Sequence, residues 1–161
     1  MKLDWFDDGN LLILLPEPLL SEWRGIDSDD YDRACAISNS WLNAIPVQKG
    51  QGLVLGGEPG MVLVTSSNEG LPLLIRWVYA EDEHELVEFA LQGKSVTKSE
   101  TAITFNNMFV EWRLFNTATN PSSDSLVMRH ISLPVGIIRV ETVYCESQKN
   151  TAIVHRFSKS A

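Results

Sequence analysis

Four aspartates crowd into six positions near the start of the chain. Asp27, Asp29, Asp30 and Asp32 surround Tyr31, and we name residues 27–32 the acidic segment. Like charges this close repel each other unless they are solvated, bound to a metal ion or matched by a basic partner. The chemistry that this spacing favours is the binding of a positively charged group, rather than the making or breaking of bonds.

Two other interpretations fit the acidic segment. Carboxylates at alternating positions suit Ca²⁺, but the glycine and the bidentate glutamate that complete a calcium loop at its sixth and twelfth positions are missing. A helix that begins near Ser28 or Asp29 would also place carboxylates in its first turn, where the helix dipole stabilises them. Such a helix is compatible with an exposed acidic face, so a structural role and a partner-binding role both stay open.

Residues that could catalyse a reaction are present but scattered. Catalysis by Ser or Cys needs a nucleophile beside a base, commonly within a local motif. The histidines His84, His130 and His155 lie in no such motif. The glycine-rich turns between residues 50 and 57 lack the lysine and hydroxyl of a phosphate-binding loop. The sequence therefore predicts no catalytic residue, no cofactor and no bound metal ion.

The elements that must position the acidic segment are mostly strands. Short runs of apolar and β-branched residues predict them, and the fully apolar run at residues 11–15 predicts a strand buried on both faces. Asn106-Asn107 tolerates the backbone angles of a tight turn. It predicts a hairpin formed by residues 101–105 and 108–115.

Helices are predicted at three places. Residues 81–92 show helical periodicity with acids in the first turn and predict one substantial helix. Shorter helices are predicted near residues 18–24 and 29–37. The predicted fold class is α+β, with a single β-rich domain over residues 1–161 and a mainly antiparallel sheet.

Charge is unevenly distributed along the chain. The formal net charge is −8; residues 1–88 carry 16 acidic and 5 basic side chains, whereas residues 89–161 carry 5 acidic and 8 basic. Such asymmetry steers cationic proteins to one face and disfavours nucleic acid and anionic lipid there. We expect a protein partner, with no nucleic acid and no membrane.

The two cysteines and the N-terminal residues bear on localisation. Cys35 and Cys145 are too few for a disulfide framework or a zinc site and are predicted to be buried free thiols. The apolar run at residues 11–15 follows three aspartates and ends at a proline, so it predicts neither a signal peptide nor a membrane span. We expect a cytoplasmic protein that is a monomer or a weak homodimer.

The tryptophans allow two interpretations. Trp side chains more often belong to a core, but beside arginine, as in Trp23-Arg24 and Arg76-Trp77, they are also typical of binding hot spots. The sequence alone does not decide between a core role and a contact role.

Six short segments, all within residues 10–80, form a recognisable set. They are LPE at 15–17, WRG at 23–25, DYDRAC at 30–35, IPV at 45–47, LGGEP at 55–59 and RWVY at 76–79. This set resembles the bacterial immunity protein 21 family, with weaker similarity at Pro134 and Gly136 and in the final hairpin. Arg24 departs from the pattern, since a small residue is expected there, and no family feature covers the helix at 81–92.

The resemblance implies a role in polymorphic toxin systems, in which a small cytoplasmic protein binds a cognate toxin domain and neutralises it without catalysis. An acidic chain without a reaction centre suits fast, electrostatically steered capture of a basic toxin. We therefore predict that one group of neighbouring residues contacts the toxin. These residues are Trp23, Arg24, Asp27, Asp29, Asp30, Tyr31 and Asp32.

Two alternative functions stay open at this point. One is a hydrolase-like enzyme that uses Asp32, His84 or Glu58 in a site without a motif; a deep polar pocket around such groups would favour it. The other is a structural or regulatory module that self-associates through the edges of its sheet, which an obligate oligomer would favour.

Overall fold

The structure is a computed structural model that describes residues 2–9, 11–57, 60–92, 96–123 and 127–160. Its strands are β1 (Trp5–Phe6), β2 (Leu12–Pro16), β3 (Asn43–Val47), β4 (Gly50–Leu55), β5 (Val62–Ser66), β6 (Pro72–Tyr79), β7 (Val96–Asn107), β8 (Glu111–Asn116), β9 (Arg129–Ser132), β10 (Gly136–Glu146) and β11 (Thr151–Lys159). Its α-helices are α1 (Asp30–Ala36) and α2 (Glu83–Gln92), and 3₁₀ helices span Glu17–Glu22 and Gly25–Asp27. The strands pair antiparallel in two sheets. The predicted α+β class is confirmed.

The chain folds into two compact units, each built from separate segments. Unit 1 contains Met1–Asp7, Met61–Asn107 and Pro134–Ala161, and unit 2 contains Asp8–Gly60 and Met108–Leu133. The chain thus passes between the units four times. A single domain over residues 1–161 stays a prediction, because compactness does not measure whether the units unfold together.

Unit 1 is a sheet with the strand order β1-β5-β6-β11-β10-β7 and with α2 packed on one face. The Asp82 carboxylate accepts a hydrogen bond from the Glu85 amide (2.9 Å) and so caps the start of α2. Leu86 and Ala90 are buried on the helix face that meets the sheet. The helix predicted at residues 81–92 is confirmed, and the acids of its first turn lie where the dipole favours them.

A buried polar cluster lies on other positions of the same sheet. His155 is fully buried; its Nδ1 is 2.8 Å from the Thr142 hydroxyl and its Nε2 is 3.5 Å from the Arg76 guanidinium. Burial, and then the charge of Arg76, lower the pKa of His155 well below its ordinary value. Burial also lowers the pKa of Arg76 to about 10, so this side chain is still charged at neutral pH. His155 is therefore neutral in the folded chain.

Unit 2 is a sheet with the strand order β3-β4-β2-β8-β9. All five residues of β2 are buried, and β2 pairs with β4 on one side and with β8 on the other, as expected from its apolar sequence. The 3₁₀ helix Glu17–Glu22 has Pro18 in its first turn. This helix and α1 contribute Leu19 and Ala34 to a core that also contains Ile13 and Phe115.

The hairpin predicted around Asn106-Asn107 is wrong. β7 continues through Asn107 and pairs with β10 in the sheet of unit 1, whereas β8 pairs with β2 and β9 in the sheet of unit 2. The Asn107 amide is buried and donates to the carbonyl of Pro134 (2.8 Å). The Asn-Asn pair therefore ends one strand at the passage between units instead of reversing the chain.

Two further predictions concern cysteine burial and membrane spans. Both thiols are free, but only Cys145 is buried, so the prediction of burial is wrong for Cys35, which lies on the exposed face of the short helix α1. Among the residues that the structure describes, no helix combines the length and apolar character needed to cross a membrane.

We expect the two units to unfold in one transition. If one unit unfolded alone, its chain would form long unfolded loops between the segments of the unit that stayed folded. Closing such loops costs entropy. Fluorine NMR of 5-fluorotryptophan-labelled protein separates Trp5 and Trp77 of unit 1 from Trp23, Trp41 and Trp112 of unit 2. All five folded signals should disappear at the same denaturant concentration. Two separate midpoints would contradict a single domain.

We expect His155 to make stability fall on mild acidification. Because the pKa of His155 is lowered in the folded chain, only the unfolded chain binds a proton at this imidazole on mild acidification. The free energy of unfolding should therefore keep its full value above about pH 6.5 and fall by up to about 1.4 kcal/mol per pH unit below that pH. Denaturant titrations between pH 4.5 and 7.5 should show this slope for the native chain and for the exposed control His84→Gln.

In the variant His155→Gln, this dependence of the free energy of unfolding on pH should be absent, whatever the absolute stability of the variant. If His155→Gln does not fold, NMR of the imidazole protons in the native chain gives the answer: the His155 signal should not titrate near neutral pH. A His155 signal that titrates near pH 6.5 would contradict the buried, neutral imidazole.

Candidate partner-binding surface

The acidic segment is held by two short helical elements of unit 2. The 3₁₀ helix Gly25–Asp27 enters it, and α1 begins within it at Asp30. The Ser28 hydroxyl accepts a hydrogen bond from the Asp30 amide (3.1 Å), whereas the side chain of Asp29, at the N-cap position, makes no capping hydrogen bond. A helix start near Ser28 or Asp29 is thus confirmed, and it leaves the carboxylate of Asp29 exposed.

The residues before the acidic segment are anchored on a distant loop at residues 116–120. The Trp23 indole is fully buried, and its Nε1–H donates to the carbonyl of Thr117 (2.9 Å). The Ile26 amide donates to the carbonyl of Ala118 (3.1 Å). Gly25 has a φ of +57°, and a Cβ there would lie 2.3 Å from the Ala118 oxygen. Only glycine fits this approach, so the backbone entering the acidic segment is fixed.

The same loop contacts the first aspartate of the segment. The Asn120 side-chain amide donates to Oδ2 of Asp27 (3.0 Å), and Asn120 is itself buried. Asp27 is nevertheless exposed overall. The contact therefore orients the carboxylate without removing it from solvent.

Asp30 differs from its neighbours because it points inward. It is 7% exposed, and its two carboxylate oxygens accept hydrogen bonds from the Arg24 amide and from Nη2 of Arg33, each 2.8 Å long. Burial raises the pKa of this carboxyl, but the hydrogen bonds, of which that from Arg33 is the strongest, outweigh it and hold the pKa below its ordinary value. Asp30 is an ionised structural residue.

Arg33 connects the acidic segment to the sheet of unit 2. Besides Asp30, its guanidinium donates to the carbonyl of Pro46 in β3 (3.0 Å) and lies 6.0 Å from the centre of the Trp23 ring, within the range of a cation–π contact. The i,i+3 spacing of Asp30 and Arg33 was the sequence signal for this pair.

The structure therefore divides the seven predicted contact residues into three groups, which are buried, half-buried and exposed. Trp23 and Asp30 are buried and cannot reach a partner without unfolding, so they support the surface and do not form it. Tyr31 is half-buried, packs against the core of unit 2, and has its pKa raised by a hydrogen bond with the Cys35 side chain. The side chains that solvent reaches directly are Arg24, Asp27, Asp29 and Asp32.

One exposed residue of this surface was missed. Ile26 is 69% exposed although its amide is fixed to Ala118. It lies between Arg24 and Asp27, so an apolar side chain is presented among charged ones. Sequence alone gave no signal, because an isoleucine beside a glycine is ordinarily read as part of a core.

The enzymatic alternative gains no support from the groups it named. Asp32 and His84 are exposed, and Glu58 lies outside the described residues. The buried pair of His155 and Arg76 is sealed from solvent. In the part of the chain that the structure describes, no group of three or more His, Cys, Asp or Glu side chains is arranged to hold a metal ion.

We expect Asp30 and Asp29 to differ sharply in their effect on stability. Asp30→Ala leaves the Arg24 amide and the Arg33 guanidinium without their acceptor and should lower the free energy of unfolding by about 1.5–3 kcal/mol. The matched control Asp29→Ala removes an exposed carboxylate without a capping bond and should change it by less than about 0.5 kcal/mol. Denaturant unfolding measures both, and equal effects would contradict the inward role of Asp30.

Comparison with known proteins places this chain in a family. Searches against curated proteins and against solved structures each gave no significant match. The family model described as immunity protein 21 matches residues 4–151, which include the acidic segment, all of unit 2 and most of unit 1. The chain belongs to the immunity protein 21 family.

Proposed function

We propose that this chain neutralises a basic toxin domain by binding it through the exposed part of the acidic segment. Membership of a non-enzymatic immunity family implies toxin neutralisation. The proposal goes further in naming the surface and the charge of the partner. It also takes the protein to act in the cytoplasm, as a monomer or weak homodimer, without a cofactor and without binding nucleic acid or membrane.

The observation that carries the proposal is the exposure of three neighbouring carboxylates on a fixed backbone. Asp27, Asp29 and Asp32 are exposed, while the charge of Asp30 is compensated internally by Arg33. Because the anchoring on residues 116–120 holds the backbone in place, little backbone entropy is lost when a partner binds these side chains. Ile26 adds an apolar contact in their midst.

The charge of unit 2 as a whole supports a cationic partner. Unit 2 contains 10 acidic and 5 basic side chains, a net charge of −5, and unit 1 contains 11 acidic and 8 basic, a net charge of −3. The acidic segment therefore lies in unit 2, the unit with the larger negative net charge. Charges at the rim of an interface act mainly on the rate of association and on partner choice, which suits an inhibitor that must intercept a toxin quickly.

We expect neutralisation of the three exposed aspartates to slow capture. The triple variant Asp27→Asn, Asp29→Asn and Asp32→Asn should reduce the association rate about tenfold at low salt and flatten its dependence on ionic strength, with little change in the dissociation rate. Asn retains an oxygen that can accept the bond from Asn120. Stopped-flow binding to the toxin domain encoded by the neighbouring reading frame measures both rates.

A charge-matched control distinguishes the effect of the acidic segment from the effect of the net charge of the whole chain. Glu81→Gln, Glu85→Gln and Glu88→Gln remove three exposed charges from unit 1 and should change the association rate much less. Equal slowing by both triples, or no slowing by the first, would remove the acidic segment from the contact. A neighbouring metabolic operon in place of a toxin gene would contradict the proposed function itself.

A further inference from the structure

A second part of the surface of unit 2 is apolar and concave. It is a cleft of about 520 Å³ lined by Glu17, Pro18, Met108, Phe109, Val110 and Glu111. Met108 is 64% exposed and Val110 is 49% exposed. Single exposed apolar residues need no explanation, but several grouped in one cleft mark an interaction site. We name this feature the apolar cleft.

The apolar cleft has a fixed backbone. The carbonyl of Phe109 accepts a hydrogen bond from the Trp112 indole (3.0 Å), and the carbonyl of Val110 accepts one from the Leu133 amide (2.9 Å). Trp112 and Leu133 are both buried. The backbone that carries the exposed apolar side chains is thus held in place before any partner arrives, which reduces the entropic cost of binding.

Carboxylates lie on the rim of the apolar cleft. The side chains of Glu17 and Glu111 are 47% and 46% exposed; Glu17 pairs with Arg113 (3.0 Å), and Glu111 contacts His130. Arg113 offsets the charge of Glu17, so these four side chains carry a net charge of −1 when His130 is counted as neutral. This negative rim favours an occupant that is apolar at its tip and cationic around it over a second copy of this chain, which would bring an equally negative rim.

The apolar cleft and the acidic segment are close enough for one interface. The 3₁₀ helix Glu17–Glu22 joins them; at about 2 Å per residue it spans about 8 Å from Pro18 to Glu22. The next five residues to Asp27 add at most about 17 Å. An interface that buries about 800 Å² on each partner is about 30 Å across, which is wide enough to include both features.

We infer that the apolar cleft receives a large apolar side chain of the same toxin domain, flanked there by Lys or Arg side chains that meet Glu17 and Glu111. This inference rests on the proposed function and adds a division of roles. The acidic segment governs the rate of capture, and the apolar cleft governs the lifetime of the complex, because apolar contacts at an interface act chiefly on dissociation.

Methyl NMR of the full chain tests the inference directly. The chain has four methionines, Met1, Met61, Met108 and Met128, and ¹³C-methyl labelling gives each its own signal. On titration with the toxin domain encoded by the neighbouring reading frame, the Met108 signal should shift or broaden in proportion to binding. The signal of Met61, which lies in unit 1, should stay in place.

Affinity measurements on exposed positions complete the test. Met108→Ala should weaken binding about tenfold through faster dissociation, as expected for the loss of a buried apolar side chain. The control Leu91→Ala, at a residue of unit 1 that is 46% exposed, should leave the dissociation rate unchanged. Complete binding with an unmoved Met108 signal, or equal effects of both variants, would overturn the inference while the proposed function stands; no binding at all would end both.

Discussion

The surface of this protein depends on one long-range contact, the anchoring of residues 23–27 on the loop at residues 116–120. The Trp23 indole reaches a carbonyl 94 positions away in sequence, and Gly25 allows the two backbones to approach more closely than any side chain would permit. This contact has nothing to do with charge, yet it decides where the charges lie. The acidic segment comes directly after this anchored backbone in the chain, and the anchored backbone cannot move independently of the sheet of unit 2.

The four neighbouring aspartates divide their work according to their orientation. Asp30 turns inward, where Arg33 and a backbone amide compensate its charge, and in doing so it fixes the start of α1. Asp27, Asp29 and Asp32 stay in solvent, where water screens their mutual repulsion. A stable fold and an electrostatically active surface thus come from adjacent residues of the same type. An apolar cleft on the same unit, with the carboxylates of Glu17 and Glu111 on its rim, is the second surface that we propose for contact.

Much of the fold could be predicted from sequence, because the strands and α2 have clear local patterns. The apolar run at residues 11–15 predicted a doubly covered strand, which the structure places at Leu12–Pro16. The periodicity and acids of residues 81–92 predicted the helix. The pairing of β7 and β8 could not be predicted in the same way. Asn106-Asn107 is a favourable turn sequence, but strand partners in different sheets are chosen by long-range packing that no short window contains.

The contact surface was predictable in location and not in detail. The crowding of aspartates in the sequence indicated where the acidic segment lies. It could not show which carboxylate turns inward, because α1 sets the direction of each side chain and the residue type is the same. The i,i+3 pair of Asp30 and Arg33 was a usable signal. For Trp23, the size and polarity of the indole suit a core and an interface equally well, and only the loop at residues 116–120 decides for the core.

We propose that this chain neutralises its toxin by binding it, one molecule for one, without turnover. Titration of the purified toxin domain with increasing amounts of this chain, with residual toxin activity as the readout, tests this most directly. We expect activity to fall in a straight line and to reach zero at one equivalent. Complete loss of activity at a small fraction of an equivalent, progressing with time, would show turnover and contradict it.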